Sequence, residues 1–320
     1  MKKNSICVVG AGKWGKNHIR TLLLNDISVG CVEIDEKQLT KIKSSFRLNH
    51  CYSTIEEAIN EDFDGYIIAT PPNTHAELSK KIISNRKPVL VEKPLCLNVK
   101  EAEEIKHFLK KYNSKLVVGH LMLFHPAIKK IKSLIDKGSI GKIQYIYSNR
   151  LNLGTVRTEE NVFWSLAPHD ISLFQYFTDS FPDKVISHGS EFLQKNIHDS
   201  TVTYLKYPEN IEGHIYVSWL HPFKEHRIVV IGSEGSIHYE DSAKNKPLLF
   251  YENFPLKNQK NSAKNKKPKS IKYDPALPLD NILKYFINIV DGQNVSLANI
   301  NEGIDNIKIL EMASKSLNSN

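Results

Sequence analysis

One short stretch near the N-terminus constrains this chain more than any other: Ile6-Cys7-Val8-Val9-Gly10-Ala11-Gly12-Lys13-Trp14-Gly15. Four apolar residues run into three glycines at the G-x-G-x-x-G spacing, and Lys16 to Leu24 continues with apolar residues at helical intervals. The pattern predicts a buried strand, a tight turn and a helix start. In such a turn Gly10 makes the bend, Gly12 lets a pyrophosphate reach the backbone, and Gly15 lets helix and strand pack closely. The first amides of the helix, and the positive end of its dipole, then face the phosphates. A second apolar strand, Val29 to Val32, ends at Glu33, eighteen residues beyond Gly15, where a carboxylate accepts hydrogen bonds from a ribose diol. Gly10, Gly12, Lys13, Trp14, Gly15 and Glu33 are therefore the expected core of a dinucleotide site. Glu33 would repel a 2′-phosphate, which favours NAD over NADP, with Lys37 nearby as a slight counterweight.

At 320 residues the chain is long enough for two domains with sizeable cores, and 41% hydrophobic with 24% charged residues is the balance of a globular protein in water. No run of about eighteen apolar residues is present, so no membrane span is predicted. Met1 to Ser5 leads at once into the first strand, which leaves no room for a signal peptide. The four cysteines, Cys7, Cys31, Cys51 and Cys96, form no C-x-x-C pair and read as reduced packing residues of a cytoplasmic protein. The formal charge of +8 raises the question of nucleic acid, but nine lysines fall between Lys244 and Lys272, interleaved with proline and asparagine. That composition predicts a solvated loop, and no nucleic-acid partner is expected. No histidine and cysteine spacing suits a metal, and neither a G-x-S-x-G elbow nor a P-loop lysine occurs.

Further along, helix and strand patterns alternate as far as Gly119. The strand Asp64 to Thr70 runs into Pro71-Pro72-Asn73-Thr74-His75, where two prolines turn the chain out at the carboxyl edge of the sheet. Thr74 or Asn73 is placed to cap the next helix, Ala76 to Asn85. The strand Pro88 to Val91 leads into Glu92-Lys93-Pro94, a charged pair at the end of a buried strand, with a turn lysine in solvent as the plain alternative. Helix Val99 to Tyr112 and strand Lys115 to Gly119 complete a right-handed, doubly wound parallel sheet. After helix Ile128 to Asp136 come alternating strands: Ile143 to Asn152, Val185 to Phe192, Ser200 to Tyr207, Gly213 to Trp219, Glu225 to Gly232 and Gly235 to Tyr239. Period-two alternation predicts a large, mostly antiparallel sheet with one face covered. A helix from Pro168 to Phe177 interrupts them, and helices Leu279 to Asp291 and Asn301 to Leu317 close the chain. The expected division is 1–120 for the nucleotide domain and 121–320 for an α+β substrate and oligomerisation domain, with the last helices free to pack back on the first domain. A broad apolar sheet face predicts a homodimer or homotetramer.

Gly10 to Gly15, Ala69-Thr70-Pro71-Pro72-Asn73-Thr74-His75, Val91-Glu92-Lys93-Pro94-Leu95 and Trp164 to Asp170, in this order, resemble the Gfo/Idh/MocA family. The resemblance runs from the first strand to the final helix. It implies a Rossmann domain and a nicotinamide-dependent oxidoreductase acting on a sugar or polyol hydroxyl. It also places Lys93 beside cofactor and substrate, with Thr70, Pro71, Asn73, His75 and Glu92 around the cofactor. An Asp-x-x-x-His pair of the family is matched here by Ser165-Leu166-Ala167-Pro168-His169. The histidine is kept and the aspartate is a serine, so an orienting carboxylate has to come from elsewhere, with Asp170 as one candidate. Arg150 to Arg157, followed by Asn161 to Asp170, resembles the branch that oxidises the 3-hydroxyl of nucleotide-linked sugars such as UDP-N-acetylglucosamine or its uronic acid. Arg150, Asn152, Arg157, Ser165 and His169 are then the substrate-side residues, the arginines being suited to a bidentate grip on phosphate or carboxylate.

Oxidising a secondary alcohol takes a hydride acceptor and a base for the hydroxyl proton. His169 titrates in the right range to be that base, with Lys93 hydrogen-bonded to the same oxygen; the reverse assignment stays open. His18, His75, His120 and His125 read as packing or capping residues. Two other functions are carried alongside: a free-sugar or inositol dehydrogenase, and a sensor that binds NAD(H) without turnover.

Overall fold

A computed structural model describes residues 4–154, 156–252 and 267–318. They divide into two units, residues 1–124 with 276–308 and residues 125–275 with 309–320.

The first unit begins with β1 (Ser5–Val9), α1 (Lys13–Leu24), β2 (Ser28–Val32), α2 (Glu36–Phe46), β3 (His50–Tyr52), α3 (Ile55–Ile59) and β4 (Gly65–Ile68). It continues with α4 (His75–Ser84), β5 (Val89–Val91), α5 (Val99–Tyr112) and β6 (Leu116–Val118). Six parallel strands lie in the order β3-β2-β1-β4-β5-β6, the doubly wound arrangement the alternation predicts. β1 and β4 are the central pair and are buried on both faces, which is why Ile6 to Val9 and Tyr66 to Ile68 are apolar without alternation. Helix starts are fixed by side-chain caps: the Asp35 carboxylate accepts from the amides of Lys37 and Gln38, and Asn98 accepts from Glu101 N.

Register fixes where function can sit. Val32, Val9, Ile68, Val91 and Val118 are partners across neighbouring strands. Glu33, Gly10, the Ala69–Thr70 turn, the Glu92–Lys93 pair and His120 therefore all leave the sheet along one carboxyl edge. The strand order reverses there between β1 and β4, the place where open parallel sheets take ligands.

The second unit holds α6 (Pro126–Asp136), β7 (Ile143–Leu153), α7 (Val162–Leu166), α8 (Pro168–Thr178), β8 (Lys184–Ser190), β9 (Ser200–Lys206), β10 (Glu212–Ser218), β11 (Leu220–Gly232), β12 (Gly235–Glu240), β13 (Leu248–Glu252) and β14 (Lys269–Ser270). Its sheet runs β14-β13-β12-β11-β7-β10-β9-β8, antiparallel throughout except where β7 meets β10. α9 (Pro278–Val290) lies against α1 in the first unit, with Asn25 Nδ2 donating to Asp280 Oδ1 at 3.2 Å, and α10 (Ile300–Leu317) closes the chain.

Two local expectations are corrected. Neither Thr74 nor Asn73 caps α4 with its side chain: Pro72–Thr74 form a 3-10 turn running straight into the helix, and the Thr74 hydroxyl donates to Pro71 O at 2.7 Å. The lysine-rich stretch is not all loop, because β13 and β14 extend the sheet within it; its residues 253–266 lie outside the described residues. His125, by contrast, is a cap as expected, its Nδ1 accepting from Ala127 N at 3.1 Å.

Candidate active site

Along the carboxyl edge of the first sheet, the glycine turn has the shape its sequence demands. Gly10 has φ +93°, and a Cβ there would lie 2.8 Å from Thr70 Cγ2 and 2.9 Å from Ala69 O. A Cβ on Gly15 would lie 1.9 Å from Gly10 O, so any side chain would drive α1 off β1. At Gly12 the same construction meets nothing within 4 Å, so an open cradle lies above the turn where α1 begins. The first turn of α1 carries no acidic residue, and Lys13 and Trp14 are exposed beside it. Bare amides at a helix N-terminus, with no side chain in the way and no anion already there, fit a pyrophosphate.

Glu33 is half-buried at the end of β2. Oε2 accepts from Ala11 N at 2.8 Å and from Gln38 Nε2 at 2.9 Å, and Oε1 accepts from Asp35 N at 3.1 Å. A carboxylate has about four acceptor positions, so this one is held by three donors with one still open for a ribose hydroxyl. Gln38 was not among the residues expected at the site; its position on α2, one turn beyond the Asp35 cap, is the only signal for it.

At the β4 turn, Thr70 Oγ1 and Thr74 Oγ1 are 2.6 Å apart, and Pro71 and Asn73 are exposed. His75 is buried, with Nδ1 2.9 Å from Pro94 O and Nε2 2.9 Å from Thr70 O. The ring thus lies between the β4 turn and the Glu-Lys-Pro loop; burial pushes its pKa down, and the one N–H of the neutral ring donates to one of the two carbonyls. Lys93 is half-buried at the end of β5, and its peptide bond to Pro94 is cis.

In the second unit, Ser165 lies on α7 and His169 in the first turn of α8; the pair expected on one helix is split by Ala167 and Pro168, with Pro168 at the start of α8. His169 is half-buried, and its carbonyl accepts from Ser172 Oγ at 2.7 Å. Asn152 is half-buried on β7, and Arg157 is exposed with Nε 3.8 Å from Glu160 Oε1.

Arg150 and Asp170 require correction. Arg150 points into the interior and grips Asp170 at both oxygens, Nε to Oδ2 at 2.7 Å and Nη2 to Oδ1 at 3.1 Å. Their side chains are 10% and 2% exposed. The guanidinium fork expected for substrate is used inside the protein, and Asp170 is committed to Arg150 instead of orienting His169. Next to them, burial and the Arg150 charge push His226 down to about 3. Among the described residues, no group of three His, Cys, Asp or Glu side chains is placed to hold a metal.

The chain belongs to the Gfo/Idh/MocA family of oxidoreductases: residues 5–120 match its NAD-binding Rossmann domain and residues 128–238 its C-terminal domain. NAD is its cofactor class, which the Glu33 carboxylate at the end of β2 suits. Among curated relatives, myo-inositol 2-dehydrogenase of Thermotoga maritima is 26% identical over 72% of this chain and 74% of its own length. The scyllo-inositol 2-dehydrogenase (NAD(+)) of Bacillus subtilis is 29% identical over 54% of each chain. The chain thus spans little more than half of some curated relatives and about three quarters of another. Among solved structures, UDP-N-acetylglucosamine 3-dehydrogenase from Acidithiobacillus ferrooxidans superposes with TM-score 0.87 at 17% identity, covering 100% of this chain and 99% of that one. An Agrobacterium radiobacter oxidoreductase, in complex with NAD+, L-tartaric acid and magnesium, does so with TM-score 0.83 at 14% identity, covering 98% and 96%. At these identities the likeness is one of fold. No helix of the described residues is long and apolar enough to cross a membrane.

The Arg150–Asp170 pair yields a direct test of its structural role. Asp170→Asn leaves a buried cation without its counter-charge and is expected to destabilise the protein by about 3–5 kcal/mol in urea unfolding, while the double change Arg150→Met with Asp170→Leu restores most of it. If Arg150 instead binds substrate phosphate, Arg150→Met raises KM without lowering the unfolding midpoint.

Proposed function

We propose that this chain is an NAD-dependent dehydrogenase that oxidises a secondary hydroxyl, at C3, of a nucleotide-linked sugar such as UDP-N-acetylglucosamine or its uronic acid. The observation that carries the dehydrogenase assignment is the shared carboxyl edge: the glycine cradle, the Glu33 carboxylate and the Lys93 side chain leave one row of paired residues. The nucleotide-sugar assignment is supported by the full-length likeness in fold to the UDP-N-acetylglucosamine 3-dehydrogenase and by Arg157, exposed after β7, as a cation for a diphosphate.

Bound NAD supplies the hydride acceptor. The residues of the chain do the rest. The α1 amides and Glu33 hold the dinucleotide by its phosphates and ribose. His75 and Glu92 serve it by holding the loops on which Thr70, Asn73 and Lys93 stand. His169 takes the hydroxyl proton, and Lys93 donates to the same oxygen, stabilising negative charge as the C–H bond breaks. Asn152 and Ser165 contribute hydrogen bonds to the sugar. A second reading, inositol or free-sugar oxidation, is favoured by the names of two of the curated relatives.

The test is absorbance at the reduced-nicotinamide band with NAD and a panel of UDP-linked sugars, free sugars and myo-inositol. Turnover of a UDP-sugar is expected, falling by about a hundredfold or more in Lys93→Ala and in His169→Ala. Turnover of myo-inositol alone favours the second reading. Tight NAD binding with no turnover of anything favours the non-catalytic sensor, for which Ser165 is the specific motive.

Tyr145, Tyr147, Tyr204, His214 and Tyr216 are half-exposed on one face of the second sheet, and the Tyr147 and His214 rings stack at 5.4 Å. We propose that this face pairs with another copy to give a homodimer or homotetramer. Sedimentation at micromolar concentration should show one of these, and a monomer contradicts it.

A further inference from the structure

Glu92 stands one residue before Lys93, yet its side chain turns inward, at 14% exposure. Oε1 is 2.8 Å from His18 Nε2, which must be the protonated nitrogen facing a carboxylate, and Oε2 accepts from Lys93 N at 3.3 Å. His18 is 1% exposed on α1, three residues beyond Gly15 and so on the same sheet-facing side of the helix. Gly119 leaves room for the carboxylate: a Cβ there would lie 3.0 Å from both Glu92 Cα and Oε2. His120, next in the chain, is 1% exposed, and neither of its ring nitrogens has a hydrogen-bond partner. Its pKa is pushed down to about 4 by burial and by the Lys93 charge nearby, so at neutral pH it adds no charge of its own. His75, from α4, also feels the Glu92 charge, its ring lying between the carbonyls of Thr70 and Pro94. Glu92 and His120 thus both interact electrostatically with Lys93, while His18 and His75 meet the Glu92 charge.

A carboxylate drawn out of water is tolerated only with donors or a positive charge against it. Burial alone pushes Glu92 up; the hydrogen bond from His18 and the charges of His18 and Lys93 outweigh it and hold the carboxyl below its usual range. Charge interaction is mutual, so whatever Lys93 does for Glu92, Glu92 does for Lys93.

We propose that His18 is a positioning residue: by pinning Glu92 it fixes a negative charge at the root of Lys93 and keeps that side chain an ammonium, able to donate to a substrate oxygen. The inference rests on the part assigned to Lys93 above. It gives the polar ring buried on the inner face of α1 a role beyond packing.

The test reads Lys93 itself. Lysines are reductively methylated with 13C-formaldehyde, the Lys93 resonance is identified by its loss in Lys93→Arg, and its titration midpoint is followed in wild type, His18→Leu, His18→Gln and Glu92→Gln. The midpoint is expected to fall by about one unit, a tenfold change in proton affinity, in His18→Leu and Glu92→Gln. In His18→Gln, whose amide can still donate to Glu92, it stays near wild type. With a substrate in hand, kcat should fall about ten- to a hundredfold in His18→Leu and recover in His18→Gln, with NAD affinity by fluorescence titration changed less than about threefold. Glu92→Gln keeps side-chain volume, so the result stands even if His18→Leu does not fold. An unmoved midpoint in the folded variants overturns the proposal. A midpoint that moves in a protein that turns over no sugar upholds the His18–Glu92 link and overturns the assigned reaction instead, since the titration needs no substrate.

Discussion

The contact between the start of α1 and the end of β1 is the constraint on which the first unit depends. With only 1.9 Å between Gly10 O and the place a Gly15 Cβ would occupy, helix and strand are as close as backbones allow. That closeness brings the helix amides up to the carboxyl edge of the sheet and puts His18, one turn later, within 2.8 Å of Glu92 just after β5. A glycine spacing that looks like a phosphate device alone therefore also ties the phosphate turn to the loop carrying Lys93. The parallel register then brings the loops after β2, β4, β5 and β6 onto the same edge.

Three carboxylates at or near this chemistry are each held by donors, and each does something different. Glu33, held by Ala11 N, Asp35 N and Gln38, keeps an acceptor position open where a ribose diol would lie in the proposed NAD site. Glu92, held by His18, supplies charge at the root of a lysine. Asp170, gripped by Arg150, neutralises a cation inside the second unit. The donors around a carboxylate decide whether it serves ligand, neighbour or core, and carboxylates of the same residue type are not distinguished by sequence.

Much of the fold was legible from the chain. The parallel half announces itself because both faces of its strands are buried, so apolar runs and glycine turns stand out; α5 spans Val99–Tyr112 as its periodicity predicts. The strands of the second sheet were legible by alternation, except β13 and β14, whose lysine-rich surroundings mask a short edge pair. Glu33, Lys93 and the glycines stood out as candidates because backbone geometry singles out those residue types. The pairing of Arg150 was not legible because a strand arginine looks the same whether it faces ligand or interior; what the structure adds is Asp170, twenty residues away on another element. The contacts of His18 and Gln38 were not legible for the same reason: each meets a carboxylate distant in the chain or about one helical turn away, and pairing of that kind leaves no local pattern.

The most direct measurement is the fate of hydrogen from C3 of the sugar. UDP-N-acetylglucosamine carrying deuterium at C3 is incubated with the protein and NAD, and the reduced cofactor is isolated and examined by mass spectrometry. NADH carrying one deuterium is the predicted result. Reduced cofactor without the label, or none at all while myo-inositol reduces NAD, would contradict the assignment of a nucleotide-sugar 3-dehydrogenase.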